Sequence, residues 1–266
     1  MFGEDFVWGV ASSAYQVEGT DAADGRGACV WDMFAADGRV FEHQNADTSC
    51  DHMHHYKEDI ALMRHLGIRA YRFSLNWARI LPEGTGRVNE KAIAMYRDMI
   101  LTMKENGITP YLTLFHWEFP QALYERGGWQ NPDVVQWFGE YAKVVAENFS
   151  DICEYFITIN EPQCVVGLGH LSGVHAPGVK LPVAQTFLVA HHLLMAHGQA
   201  VINLRRYAVR PVRIGFAPTG GVAYPYTDRS EDIEAAKRCI SDFTIRSITG
   251  PGMYRGFPIR YSLDIT

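Results

Sequence analysis

One pattern limits the fold more than any other. Short apolar, β-rich runs alternate with long helical stretches along the whole chain. The spacing predicts strands at 5–14, 68–80, 108–117, 155–162 and 212–225, and helices at 49–67, 88–107, 131–151, 183–207 and 230–248. Gly67 and Gly107 stand where C-terminal caps are expected, and Asn131 with Pro132 marks a helix start. Strands that alternate with helices of this length pair in parallel, with each helix crossing over the sheet. Two architectures satisfy that rule, an open doubly wound sheet and a barrel. No GxGxxG or Walker-type loop follows any strand, which weighs against a nucleotide-binding open sheet. At 266 residues the chain suits one domain, 1–266, of the size that α/β barrels use.

The residues with chemistry to offer fall at the C-terminal ends of the predicted strands. Gln16 follows the first. Arg72, Asn76 and Trp77 lie along the second. His116 and Trp117 close the third, and Asn160 and Glu161 the fourth. In a barrel that rim is where active sites are built. Glu161 falls just before the final proline of the run YFITINEP, and an unpaired carboxylate at the end of a buried strand is costly. Two amides, an imidazole and indole rings suit a neutral polyol, because they offer directional hydrogen bonds and faces for C–H stacking. One glutamate there serves for proton transfer if its surroundings tune it. No HExxH or CxxC spacing and no GxSxG elbow is present, and no cofactor is expected.

Charge and cysteine usage exclude other classes. The formal net charge of −6 disfavours nucleic acid or an anionic membrane as the main partner. The N-terminus shows no basic and apolar leader, and five scattered cysteines suit a reducing, cytoplasmic setting better than a disulfide framework. The run DHMHHY (51–56) and the trio His191, His192 and His197 invite a metal reading, but their spacing favours solvated helix positions. Cys164 as the nucleophile of an unrelated barrel enzyme has no neighbouring base in sequence.

The same segments carry a resemblance. FVWGVASSAYQVEG, YRFSLNWARILPEG, YLTLFHWEFPQAL, GGWQNP, FITINEP and GVHAPG resemble, in order and spacing, the signatures of family 1 glycoside hydrolases, the β-glucosidase and β-galactosidase group. The resemblance runs from about residue 4 to about residue 258. It implies a (β/α)8 TIM-type barrel and retaining hydrolysis of β-linked sugars. Glu161 matches the general acid/base, and Gln16, His116 and Asn160 match residues that bond the sugar, with Asn160 on the 2-OH. Arg72 matches an arginine beside the nucleophile, and Trp117 matches a position near the sugar. Glu118–Phe119 departs from the family's usual Asp-Leu.

The resemblance also implies a second carboxyl, about 5–5.5 Å from the first in a retaining enzyme. The family places it in a Glu-Asn-Gly motif on strand seven. The only such triplet here, Glu105–Gly107, ends a predicted helix before strand three. A βα unit with its returning strand takes about 30 residues, so too few follow Pro225 for three more. The expectation is therefore a chain with about the first five βα units, stopping before strand six. It would lack the nucleophile and be inactive alone, with a C-terminal half from another chain as one complement. A non-catalytic, sugar-binding half barrel is the alternative. Glu118 as a stand-in carboxylate is disfavoured, because it shares the rim sector of His116.

Overall fold

A computed structural model describes residues 2–3, 6–20, 24–219 and 223–243. Five strands form one sheet: β1 (Gly9–Ala11), β2 (Ala70–Ser74), β3 (Thr109–Phe115), β4 (Tyr155–Asn160) and β5 (Arg213–Ala217). All neighbours are parallel, and the order across the sheet is the order along the chain. A doubly wound sheet reverses its strand order at a switch point. This sheet never reverses, which is how a barrel is wound. The helices α1 (His52–His65), α2 (Glu90–Glu105), α3 (Val134–Phe149), α4 (Val183–Tyr207) and α5 (Ser230–Phe243) follow the strands in turn. The chain therefore holds about the first five units of a (β/α)8 barrel. The expected absence of a sixth strand falls on 244–266, outside the described residues.

The strands are shorter than the sequence pattern predicts, because apolar character continues into the rim turns. Residues 68–80 divide after Ser74. Asn76 caps a helical turn, Trp77–Ile80, by accepting the Arg79 N–H at 3.2 Å. Trp77 thereby turns away from the rim and into the core. It is fully buried, donates to the Gly84 carbonyl at 2.9 Å and stacks on Tyr141 with ring centres 5.0 Å apart. Helix α1 ends as its glycine predicts. Gly67 takes φ +75°, and Ile68 N–H closes onto the Met63 carbonyl. Helix α3 begins at Val134, later than Asn131 suggests. Asn131 instead accepts the Asp133 N–H at 2.9 Å, tightening the turn before the helix.

Two groups of histidines differ from expectation. His54 and His55 are exposed and paired with Asp51 and Glu58, but His52 is buried and bonded to Asp59 at 2.6 Å. On α4, His191 is exposed. His192 is buried against the Trp129 carbonyl at 2.8 Å, and His197 meets Thr158 of β4 at 2.7 Å. A helix lying over a sheet must cover it, and these two imidazoles satisfy polar groups where they do so.

A buried ion cluster ties the first loop to the sheet. Arg79, 1% exposed, donates to Glu18 at 3.1 Å and to the Gly19 carbonyl at 2.9 Å, and also pairs with Asp24. Tyr96 donates to the second Glu18 oxygen at 2.7 Å. Every charge in the cluster has a partner, the condition under which burying it is tolerable.

Candidate active site

The rim residues of β2, β3 and β4 meet in one hydrogen-bonded chain. Arg72 donates from Nε to Thr113 at 3.0 Å and from Nη2 to Asn160 Oδ1 at 2.5 Å. That contact fixes the amide, since only its oxygen can accept from a guanidinium. Asn160 Nδ2 therefore faces His116 Nε2, at 3.1 Å, and that ring nitrogen must accept. The proton of neutral His116 then sits on Nδ1, which has no partner among the described residues. Burial, and secondarily the Arg72 charge, push the His116 pKa down to about 4. The ring is thus neutral at pH 7, with one uncommitted donor.

A register break in β4 between Ile157 and Asn160 accompanies this arrangement. Thr158 bonds outward to α4, while Asn160, two residues on, bonds across the rim to β2. Regular alternation would put both on one face, and an irregular register re-aims the second.

Two non-glycine residues at the rim hold left-handed backbone angles, Trp117 at φ +85° and Glu161 at φ +43°. Such angles are sparsely populated and persist where surrounding contacts enforce them. The Trp117 indole N–H donates to the Asn160 carbonyl at 3.0 Å, joining the two corners. Glu161 is held by its own N–H, which donates to the Ala217 carbonyl at 2.7 Å. Gln163 continues the attachment. Its Nε2 donates to the Thr219 carbonyl at 2.8 Å, and its Oε1 accepts the Thr219 N–H at 3.3 Å. The Glu161 carboxylate accepts the Cys164 S–H at 3.4 Å, and its charge reaches both Arg72 and His175. Burial, then Glu161, push the Cys164 thiol up to about 11, so it is a poor nucleophile at neutral pH.

Gln16 sits on a helical turn, Ala14–Val17, just past β1, with its side chain exposed. It lines a cavity of about 340 Å³ together with His116, Trp117, Tyr15, Trp31 and His175. Tyr15, Trp31 and His175 were not singled out by sequence reasoning. His175 packs between Trp31 and Trp117, with ring centres 5.6 and 5.5 Å away. Its signal was present in GVHAPG, a segment whose histidine carries no feature of its own. Trp77, grouped with the rim by sequence, lies elsewhere, as does Trp8. Trp8 is 57% exposed beside β1, and Trp77 is in the core. Glu118 is buried, and neither it nor Glu161 is among the cavity's lining residues, although the Glu161 charge reaches the lining residue His175.

The model of glycosyl hydrolase family 1 matches residues 1–258. The chain belongs to that family. Relatives include β-glucosidase A of Thermotoga maritima, 45% identical over 237 residues, which are 89% of this chain and 53% of that protein. β-Glucosidase 42 of Arabidopsis thaliana is 41% identical over 97% of this chain and 54% of its own length. Among solved structures, the T. maritima β-glucosidase in complex with deoxynojirimycin superposes with a TM-score of 0.84 at 44% identity, covering 89% of this chain and 53% of that one. The chain thus spans about half the length of the relatives it matches. No described helix is long and apolar enough to cross a membrane.

Proposed function

We propose that this chain supplies the acid/base half of a retaining β-glycosidase acting on β-glucosides or related β-linked sugars. Glu161 protonates the glycosidic oxygen, a second carboxylate outside this chain attacks the sugar, and Glu161 then activates water. Gln16, His116 and Asn160 bond sugar hydroxyls, Trp117 lies beside the ring, and Arg72 holds Asn160 in place. The observation that carries this reading is the Arg72–Asn160–His116 chain. It orients one amide and forces one tautomer on a His116 ring that also lines the cavity, and the Glu161 charge reaches both Arg72 and the cavity's His175. Cys29, Cys50, Cys153 and Cys164 are free, which suits a cytoplasmic protein. We take residues 1–266 as one domain.

The test uses p-nitrophenyl β-glucoside with the 266-residue chain alone, and with the chain mixed with the C-terminal half of the T. maritima relative. The expected result is hydrolysis only in the mixture, lowered at least about 100-fold in Glu161→Gln, the size typical of a lost general acid. Hydrolysis by the chain alone would overturn the external second carboxylate. Binding of deoxynojirimycin without hydrolysis in the mixture would favour a sugar-binding half barrel.

A further inference from the structure

The helical turn that carries Gln16 lacks a local cap. Ser13 occupies the N-cap position and makes no side-chain bond to the turn. The first amides of a helical turn have no partners within it and need acceptors from outside. Here they come from two other strands. The Ala14 N–H donates to the Ser74 hydroxyl at the end of β2, at 2.7 Å. The Tyr15 N–H donates to Glu118 Oε1 just past β3, at 2.9 Å, across 103 positions of sequence.

Glu118 is an expensive way to make that bond. It is 1% exposed, and its second oxygen has no partner among the described residues. A buried, unsatisfied carboxyl oxygen works against folding. Burial pushes the group up to about 8, although the backbone amides of Tyr15, Glu118 and His116 pull the other way. It is therefore mostly the neutral acid at pH 7. Glu118 also directly follows the His116–Trp117 corner, whose Trp117 is held at φ +85°. One side chain thus joins the turn that bears Gln16 to the corner that bears His116 and Trp117.

We propose that Glu118 is a positioning residue that sets the spacing between the Gln16 side and the His116 side of the cavity by capping the Gln16 turn from β3. The proposal rests on the reading of that cavity as a sugar site, and the experiment separates the two. The full 266-residue chain is compared with Glu118→Leu and Glu118→Gln. Two quantities are measured, hydrogen exchange at the Tyr15 amide and affinity for deoxynojirimycin. Leucine removes the acceptor, whereas glutamine keeps an oxygen in its place. Loss of one such bond is expected to speed Tyr15 exchange and weaken deoxynojirimycin binding by roughly tenfold in Glu118→Leu. Glutamine should restore both to within about threefold of the parent on the same scale. Exchange at Leu112 and Phe156, in the middle of the sheet, should not move.

Unchanged Tyr15 exchange in Glu118→Leu overturns the proposal. So does a rise in Tyr15 exchange matched at Leu112 and Phe156, because that is general loosening. A parent chain that fails to bind deoxynojirimycin counts against the sugar site, and the exchange measurements then decide the capping role by themselves.

Discussion

Trp77 and Trp8 are the same side chain in two different parts of one sheet. Trp77, beside β2 and β3, is fully buried, stacked on Tyr141 and bonded to Gly84. Trp8, beside β1, is 57% exposed and packs its ring edge-on with Phe2 and Phe6. The middle strands show the same contrast with the edges. β2, β3 and β4 are buried along most of their length, whereas all of β1 and the first residue of β5 are exposed. On α4 an apolar stripe of Leu188, Met195 and Ile202 faces out. A parallel strand is apolar because both of its faces are meant to be covered. The middle of this sheet has its cover, and the edges carry composition suited to a cover that the described residues do not provide. The Arg72–Asn160–His116 chain lies wholly in the covered part. The Glu161 turn leans on β5, whereas the Gln16 turn follows the exposed β1 and is fastened to Ser74 and Glu118.

If that division is real, truncating the two tryptophans should give unequal results. Trp77→Ala is expected to cost about 3–5 kcal/mol, the range for a buried aromatic, and Trp8→Ala less than about 1 kcal/mol. Urea denaturation followed by circular dichroism measures both, and similar losses would break the comparison.

Acid gives a smaller effect of the same kind. His116, and His197 over β4, are each pushed down to about 4, in both cases chiefly by burial. Below their ordinary value of about 6.5 the unfolded chain takes up protons that the folded chain refuses, so stability falls as pH drops from about 6.5 to about 4. The loss is on the order of 1–3 kcal/mol per histidine. His197→Phe should flatten this acid limb in a thermal-melt series, and an unchanged limb would separate the fall in stability from that buried ring.

The smallest change in stability, within about 0.5 kcal/mol, is expected from serine at Leu188, Met195 and Ile202 together. Their effect should appear in sedimentation instead, as reduced self-association, because exposed apolar stripes drive contacts between molecules. A large drop in melting temperature would mean that the stripe is already covered.

Much of this was legible in the sequence. Five strand–helix units, parallel pairing and a rim bearing His116, Asn160 and Glu161 all follow from periodicity and strand ends. Trp77 was misplaced because an apolar residue after a strand reads as more strand, and only the cap made by Asn76 turns it inward. The attachments between distant residues were not legible at all. Nothing in the spacing ties Glu118 to Tyr15 or Gln163 to Thr219, since each bond depends on two elements already being side by side. The π-helical segment Val165–Leu171 was missed for a related reason. Its wider turn has no period that distinguishes it from any short apolar run.

The attachment of Glu161 has a mechanical consequence. Its turn is fastened through the Ala217 and Thr219 backbone to the outermost described strand, whereas Asn160 and His116 are fastened to the interior of the sheet. A load pulling β5 outward would unzip that strand from β4 and free the Glu161 turn first, while the Arg72–Asn160–His116 chain stayed in register. In a force experiment the Glu161 corner would yield before the amide and imidazole beside it.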